Sequence, residues 1–236
     1  MKAPIRRVAA PLAAASAALA LTATGASAAT TTIREETAAG APYTGTWQVS
    51  TVGPLTFSVV YMGSTVTGSC ESATLQGSVE SAGAGELTAA SIGACQTSNG
   101  LSSPATDLDL SELPDRSGQI AYDPVDGGRD GVLSINGGLT FSLTGNIFGI
   151  PITCNYGFQT GGTPGLSFEV YNRDNPNRPI ADQDDAQGKS DNITLVRKSG
   201  SSFLCPSNGT GSGAGIARGE SSPGSGVFDR KLYLTS

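Results

Sequence analysis

The 236-residue sequence predicts an all-β fold: an antiparallel two-sheet β-sandwich, Ig-like or a related Greek key, braced by two disulfides. Three observations predict it. Apolar residues recur at every second position in short segments. Those segments are punctuated by Gly, Pro, Asn and Asp; the chain holds 32 Gly and 13 Pro, and only 14% of its residues are charged. Four cysteines follow an export-type leader, and an even count there reads as paired.

The leader comes first. Lys2, Arg6 and Arg7 form a positive start, an uncharged Ala/Leu-rich stretch follows, and Ala26-Ser27-Ala28 fits the small-x-small cleavage rule. Residues 1–28 are therefore expected to be a signal peptide, with the product secreted and not inserted in a membrane after cleavage. Residues 29–42 (ATTTIREETAAGAP) read as a flexible polar leader, and 43–236 as a single β-sandwich domain. Two smaller sandwiches, divided near Pro114 to Gly128 and each with its own disulfide, are the alternative.

The strands follow in order. Trp47 to Val52 opens the series, with Trp47 and Val49 on one face. Leu55, Phe57, Val59 and Tyr61 share a face, and so do Ala73, Leu75, Gly77 and Val79. Shorter candidates are Leu87 to Ile92, Asp107 to Leu110, Gln119 to Tyr122 and Gly131 to Ile135. Leu139, Phe141 and Leu143 alternate with Thr140 and Ser142. A long inward row runs through Phe148, Ile150, Ile152, Cys154, Tyr156 and Phe158. Leu166, Phe168 and Val170 repeat the pattern, as do Ile193 and Leu195; Phe203 to Cys205 and Val227 to Leu234 close it. Each segment has one buried and one wet side, because successive strand residues point to opposite faces.

Two long loops are expected. Residues 172–191 are too polar and too interrupted by Pro for a strand, and 206–226 are so rich in Gly and Ser that they read as flexible. Cys70, Cys95, Cys154 and Cys205 allow three connectivities. Cys70–Cys95 with Cys154–Cys205 is favoured, since each pair then staples strands close in sequence. Metal ligation is disfavoured by the lack of any Cys-x-x-Cys spacing and of histidine.

Charge narrows the function. Of the 14 Lys and Arg residues three precede residue 29, so the remainder carries 11 against 20 Asp and Glu, a formal net charge of −9. That balance opposes nucleic acid and anionic membranes. Without histidine no Ser-His-Asp triad forms, and no catalytic residue and no cofactor is predicted. A hydrolase using paired Asp or Glu is a minor alternative, recognisable by two carboxylates in one cleft.

Two acidic clusters have the oxygen chemistry of a Ca²⁺ site: Asp123, Asp126 and Asp130, and Asp182, Asp184 and Asp185. For the first, a hairpin turn between Tyr122 and Gly131 is the favoured reading. Tyr43, Trp47 and Tyr61 are candidates for a sugar platform, with core packing favoured for Trp47.

Several stretches carry a resemblance: Ala39-Gly-Ala-Pro-Tyr-Thr-Gly45, Gly68-Ser-Cys70 and Gly127-Gly-Arg-Asp-Gly131 early in the chain, then Ile152-Thr-Cys154-Asn-Tyr-Gly157, Asn175-Pro-Asn-Arg-Pro179 and Phe203-Leu-Cys205-Pro-Ser207. In these the chain resembles uncharacterised actinobacterial secreted β-rich proteins with paired cysteines. The resemblance implies export, a β-rich domain and disulfides, and no activity. The expectation is a non-enzymatic extracellular or cell-surface protein, structural or ligand-binding, whose partner the sequence does not name, a wall polysaccharide or a small molecule being the candidates; a carbohydrate- or cell-wall-binding module is the alternative.

Overall fold

A computed structural model of the protein describes residues 30–111, 117–147 and 149–236. Residues 1–28, expected to be a signal peptide, and Pro114 and Phe148 lie outside the described residues. Among the described residues every regular element is a β-strand and every pairing is antiparallel. The strands are β1 (Thr32–Glu35), β2 (Gly45–Thr51), β3 (Leu55–Tyr61), β4 (Ser64–Cys70), β5 (Ala73–Val79), β6 (Ala84–Ile92), β7 (Cys95–Thr97), β8 (Ser102–Ser103) and β9 (Thr106–Asp107). After them come β10 (Ser117–Tyr122), β11 (Gly131–Asn136), β12 (Thr140–Ile147), β13 (Ile150–Thr160), β14 (Thr163–Tyr171), β15 (Ala186–Arg197), β16 (Asn208–Glu220) and β17 (Phe228–Thr235).

The expected sandwich differs from this arrangement in one respect. Among the described residues no break in hydrogen bonding divides the strands into two sheets; all join one continuous ladder. Tracing the ladder strand to strand closes two rings. The first runs β2–β5–β6–β10–β11–β14–β15–β16 and back to β2. The second runs β3–β4–β7–β8–β12–β13–β15–β16 and back to β3. A sheet closed on itself has no free edge, and at eight strands its interior is filled by side chains.

Strands β15 and β16 belong to both rings. Asn208–Ser212 lies in the second and Gly215–Gly219 in the first. This corrects the flexible reading of 206–226: most of that run is a strand flanked on both sides. Its glycines serve contact. A Cβ on Gly209 would stand 2.4 Å from Val59 Cγ1, and one on Gly215 would stand 2.5 Å from the Ser50 carbonyl oxygen.

Each ring has its own core. Trp47, Leu75, Leu87, Leu133, Ile135 and Leu166 fill the first, and Phe57, Phe141, Leu143, Ile152, Tyr156 and Leu195 the second. Phe141 stacks on Phe158 with ring centroids 5.4 Å apart. The favoured cysteine pairing is the one present: Cys70–Cys95 joins directly opposed residues of β4 and β7, and Cys154–Cys205 ties β13 to the loop before β16. Both disulfides lie in the second core. The strands around the two cores interleave along the chain and do not part near residues 114–128 with one disulfide each.

Four further expectations are corrected. Residues 29–42 are not a free leader, because β1 pairs with β17 and Ile33, 3% exposed, enters the first core with Leu232 and Leu234. Residues 186–191 of the proposed loop 172–191 are strand. Ile150 is exposed, since β13 starts beyond the end of the ring, while Ile152, Cys154 and Tyr156 do point inward. Phe203 to Cys205 is a turn, not a strand.

Candidate binding surface

The acidic clusters resolve into structure-holding contacts. Asp123 to Asp130 is the expected hairpin connection, closed by backbone bonds from Asp123 to Asp130 and from Val125 to Arg129, with Gly127 at φ 68°. Asp123 pairs with Arg129 at 2.5 Å. Asp130 Oδ2 accepts from the Asn172 backbone N–H at 2.7 Å and from Asn175 Nδ2 at 2.8 Å. In the second cluster Asp185 takes both donors of Arg218 at 2.9 and 2.8 Å. Asp184 takes Arg173 and Lys231, and these bonds hold its carboxyl below the ordinary value. Among the described residues no three His, Cys, Asp or Glu side chains converge on one point.

The 172–185 segment is consequently a fitted loop. Two buried amides secure it, and sequence reasoning passed over both. Asn172 exchanges two hydrogen bonds with the Leu234 backbone. Gln187, completely buried, accepts from Ile180 N–H at 2.8 Å and donates to the Ile180 carbonyl at 2.7 Å. Gln187 lies opposite Tyr171 on the outer face of β15, where the loop covers it, between Ala186 and Gly188 that face the first core.

The aromatic platform does not form. Tyr43 and Trp47 are buried in the first core, with Trp47 Nε1 donating to the Ser78 carbonyl at 3.1 Å and the Tyr43 hydroxyl accepting from Glu220 N–H. Tyr61 lies half-buried against the second core.

Besides a groove of about 410 Å³ beside Glu80 and Glu86, three kinds of space stand out among the described residues. Inside the first ring are two apolar cavities of about 60 and 80 Å³, lined by residues such as Leu75, Phe168 and Gly188. Small-molecule pockets usually run to about 300–1,000 Å³, so these have room only for small apolar groups.

The second space is a groove of about 400 Å³ at the register shift in β15, between Ser190 and Ile193. It gathers Arg129, Glu169, Lys189 and Asp191. Each carboxylate there has a partner. Asp191 binds Lys189 at 2.6 Å, and Glu169 accepts from the Tyr171 hydroxyl at 2.7 Å with Arg129 3.7 Å away. Burial, followed by that bond to Glu169, pushes the Tyr171 hydroxyl up to about 12.

The third and largest is a groove of about 560 Å³ on the outside of the second ring, across β16, β3, β4 and β7. Strand register places its polar side chains in two ranks. Ser212, Thr56, Ser69 and Gln96 are successive cross-strand neighbours, and so are Thr210, Ser58 and Thr67, with Ser98 bonded to the Thr67 backbone. Register carries the first rank onward through Ser102 of β8 and Thr144 of β12 to Thr153 of β13. The strand segments that pair within this ring, residues 55–61, 64–70, 95–97, 102–103, 140–147, 150–160, 193–197 and 208–212, contain Arg197 and no acidic residue. The groove is therefore uncharged and coated with hydroxyls.

Fold and site together define an all-β, antiparallel, disulfide-braced protein with an uncharged hydroxyl-lined face. Paired cysteines are those of an oxidising compartment, and among the described residues no helix is long and apolar enough to cross a membrane. No family model, no curated protein and no solved structure matches the chain.

Proposed function

We propose that the chain is secreted and acts outside the cell as a non-enzymatic binding protein, with the groove on the second ring as its contact surface and a neutral polysaccharide as its ligand. The observation that carries this reading is the uncharged double rank of Ser, Thr and Gln side chains in a groove of about 560 Å³. Hydroxyls donate and accept, and so can match sugar hydroxyls in either sense. Desolvating neutral groups also costs far less than desolvating charged ones. No aromatic platform strengthens the contact, so individual sites bind weakly and retention comes from a repeating polymer. The non-enzymatic part is supported by the charged groove, where Glu169 and Asp191 are each already bound by protein groups.

The test is co-sedimentation with insoluble cellulose, chitin and purified cell-wall glycan. Retention on at least one is expected, with loss on placing charge in the groove by Ser58→Glu and Thr67→Glu. No retention on any of them overturns the proposal.

A further inference from the structure

Among the described residues, the hairpin ends of the second ring's strands lie on one side. The β3–β4 turn at Met62-Gly63 leads to that end. Antiparallel register brings the β7–β8 turn at 98–101, the start of β13 and the loop 198–207 to the same side. Among the described residues seven large apolar side chains are exposed, and four of them belong to this end: Phe203 at 86%, Met62 at 74%, Val60 at 66% and Ile150 at 53%. Monomeric surfaces scatter such residues singly, and a group of them marks a contact surface.

Phe203 is held out by a built loop. Cys205 is bonded to Cys154, Ser202 N–H donates to the Thr153 carbonyl at 2.9 Å, and the Tyr156 hydroxyl donates to the Pro206 carbonyl at 3.2 Å. Arg197 Nη1 donates to the Cys205 carbonyl at 2.7 Å. The loop backbone is thus fixed while its aromatic ring faces solvent.

Charge says what covers this end. The chain is acidic, yet Arg197 is the one charged residue in the strand segments that pair within this ring, and it and Lys198 begin this loop. The Lys198 stem lies over Gly157, where an added Cβ would come within 2.2 Å of its Cε. Apolar tips beside two cations, with every carboxylate kept elsewhere, match the interface of a bilayer carrying anionic headgroups. We infer that the hairpin end of the second ring docks on anionic lipid surfaces, with Phe203 and Met62 entering the headgroup layer and Arg197 and Lys198 facing the lipid charge. The net charge of the whole chain opposes such contact only on average; the shared strands carry Asp191 and Glu220 outside the segments that pair within this ring.

The experiment uses residues 29–236, which carry every described strand and lack the apolar leader. It measures co-sedimentation with vesicles of phosphatidylcholine alone and of phosphatidylcholine with phosphatidylglycerol. Binding to the anionic vesicles is expected, weakened by high salt. Phe203→Ser with Met62→Ser should reduce it by about tenfold or more, given the apolar area removed. Val125→Ser with Val227→Ser, exposed in the connections before β11 and β17, should leave it unchanged. No binding to either vesicle, or equal binding by the Phe203/Met62 variant, overturns the inference. A wild-type dimer that the same variant dissociates also overturns it, in favour of a second copy as the occupant. Polysaccharide retention by that variant reports on the groove separately.

Discussion

The side-chain amide of Asn172 pairs with the backbone of Leu234 as a neighbouring strand would: Leu234 N–H donates to Oδ1 at 2.7 Å, and Nδ2 donates to the Leu234 carbonyl at 2.9 Å. Both residues are buried. This one amide fixes the start of the 172–185 loop to the last strand. Asn172→Leu would strand a buried donor and a buried acceptor together. We expect a loss of about 2–4 kcal/mol, read as a lower urea midpoint with an unchanged slope.

The strand character of the glycine-rich run is testable by contrast. At Gly215 an added Cβ meets the Ser50 carbonyl oxygen at 2.5 Å, whereas at Gly211 the nearest atom, the Thr56 carbonyl oxygen, is 3.6 Å away. Gly215→Ala should destabilise by about 1–3 kcal/mol. Gly211→Ala should be neutral or slightly stabilising, since it restricts the unfolded chain. Thermal unfolding of the two variants checks this, and a flexible segment would respond to neither.

That run also shows where sequence reasoning stops. Alternation revealed Leu75 and Val79, Phe141 and Leu143, and Ile152 to Tyr156, because one apolar stripe per strand is a local property. The cysteine pairing followed from proximity along the chain. β16 was illegible because glycine is also the residue of flexible linkers, and its role here comes from strands β2 and β3, some 150 residues earlier. β1 escaped notice because Ile33 is its only buried apolar residue and its partner is the last strand. Ring closure depends on long-range register. The groove was hidden for a related reason: its residues are the polar halves of four alternating strands, unremarkable until register aligns them.

The disulfides should contribute unequally. They close loops of 25 and 51 residues, for which chain entropy gives about 3.5 and about 4 kcal/mol. Replacing Cys154 and Cys205 by Ala should therefore lower the unfolding midpoint more than replacing Cys70 and Cys95. It should also release the loop bearing Phe203, which hydrogen exchange of residues 198–207 would register.

Stability should decline on both sides of neutrality. Backbone N–H donors from Gly226 and Gly224 hold the Glu220 carboxyl below its ordinary value, and Lys231 and Arg173 do the same for Asp184. Groups depressed in the folded state contribute above their unfolded values, 4.5 and 3.8, and lose that contribution as pH falls through the folded ones. Burial raises the hydroxyls of Tyr156, Tyr171 and Tyr233 to about 12 from 10.0. Their contribution is complete below pH 10 and disappears as pH rises towards 12. Unfolding midpoints from pH 2 to 12 should show both limbs, and Glu220→Gln should flatten part of the acidic one.

The most direct measurement is amide chemical-shift mapping of residues 29–236 with a soluble oligosaccharide of whichever polymer retains the protein. We expect perturbations confined to β3, β4, β7 and the first half of β16, centred on Thr56, Ser58, Thr67 and Ser69. Perturbations centred instead on Glu169 and Asp191, or on the interior of the first ring, would contradict the assignment of the hydroxyl-lined groove as the binding surface.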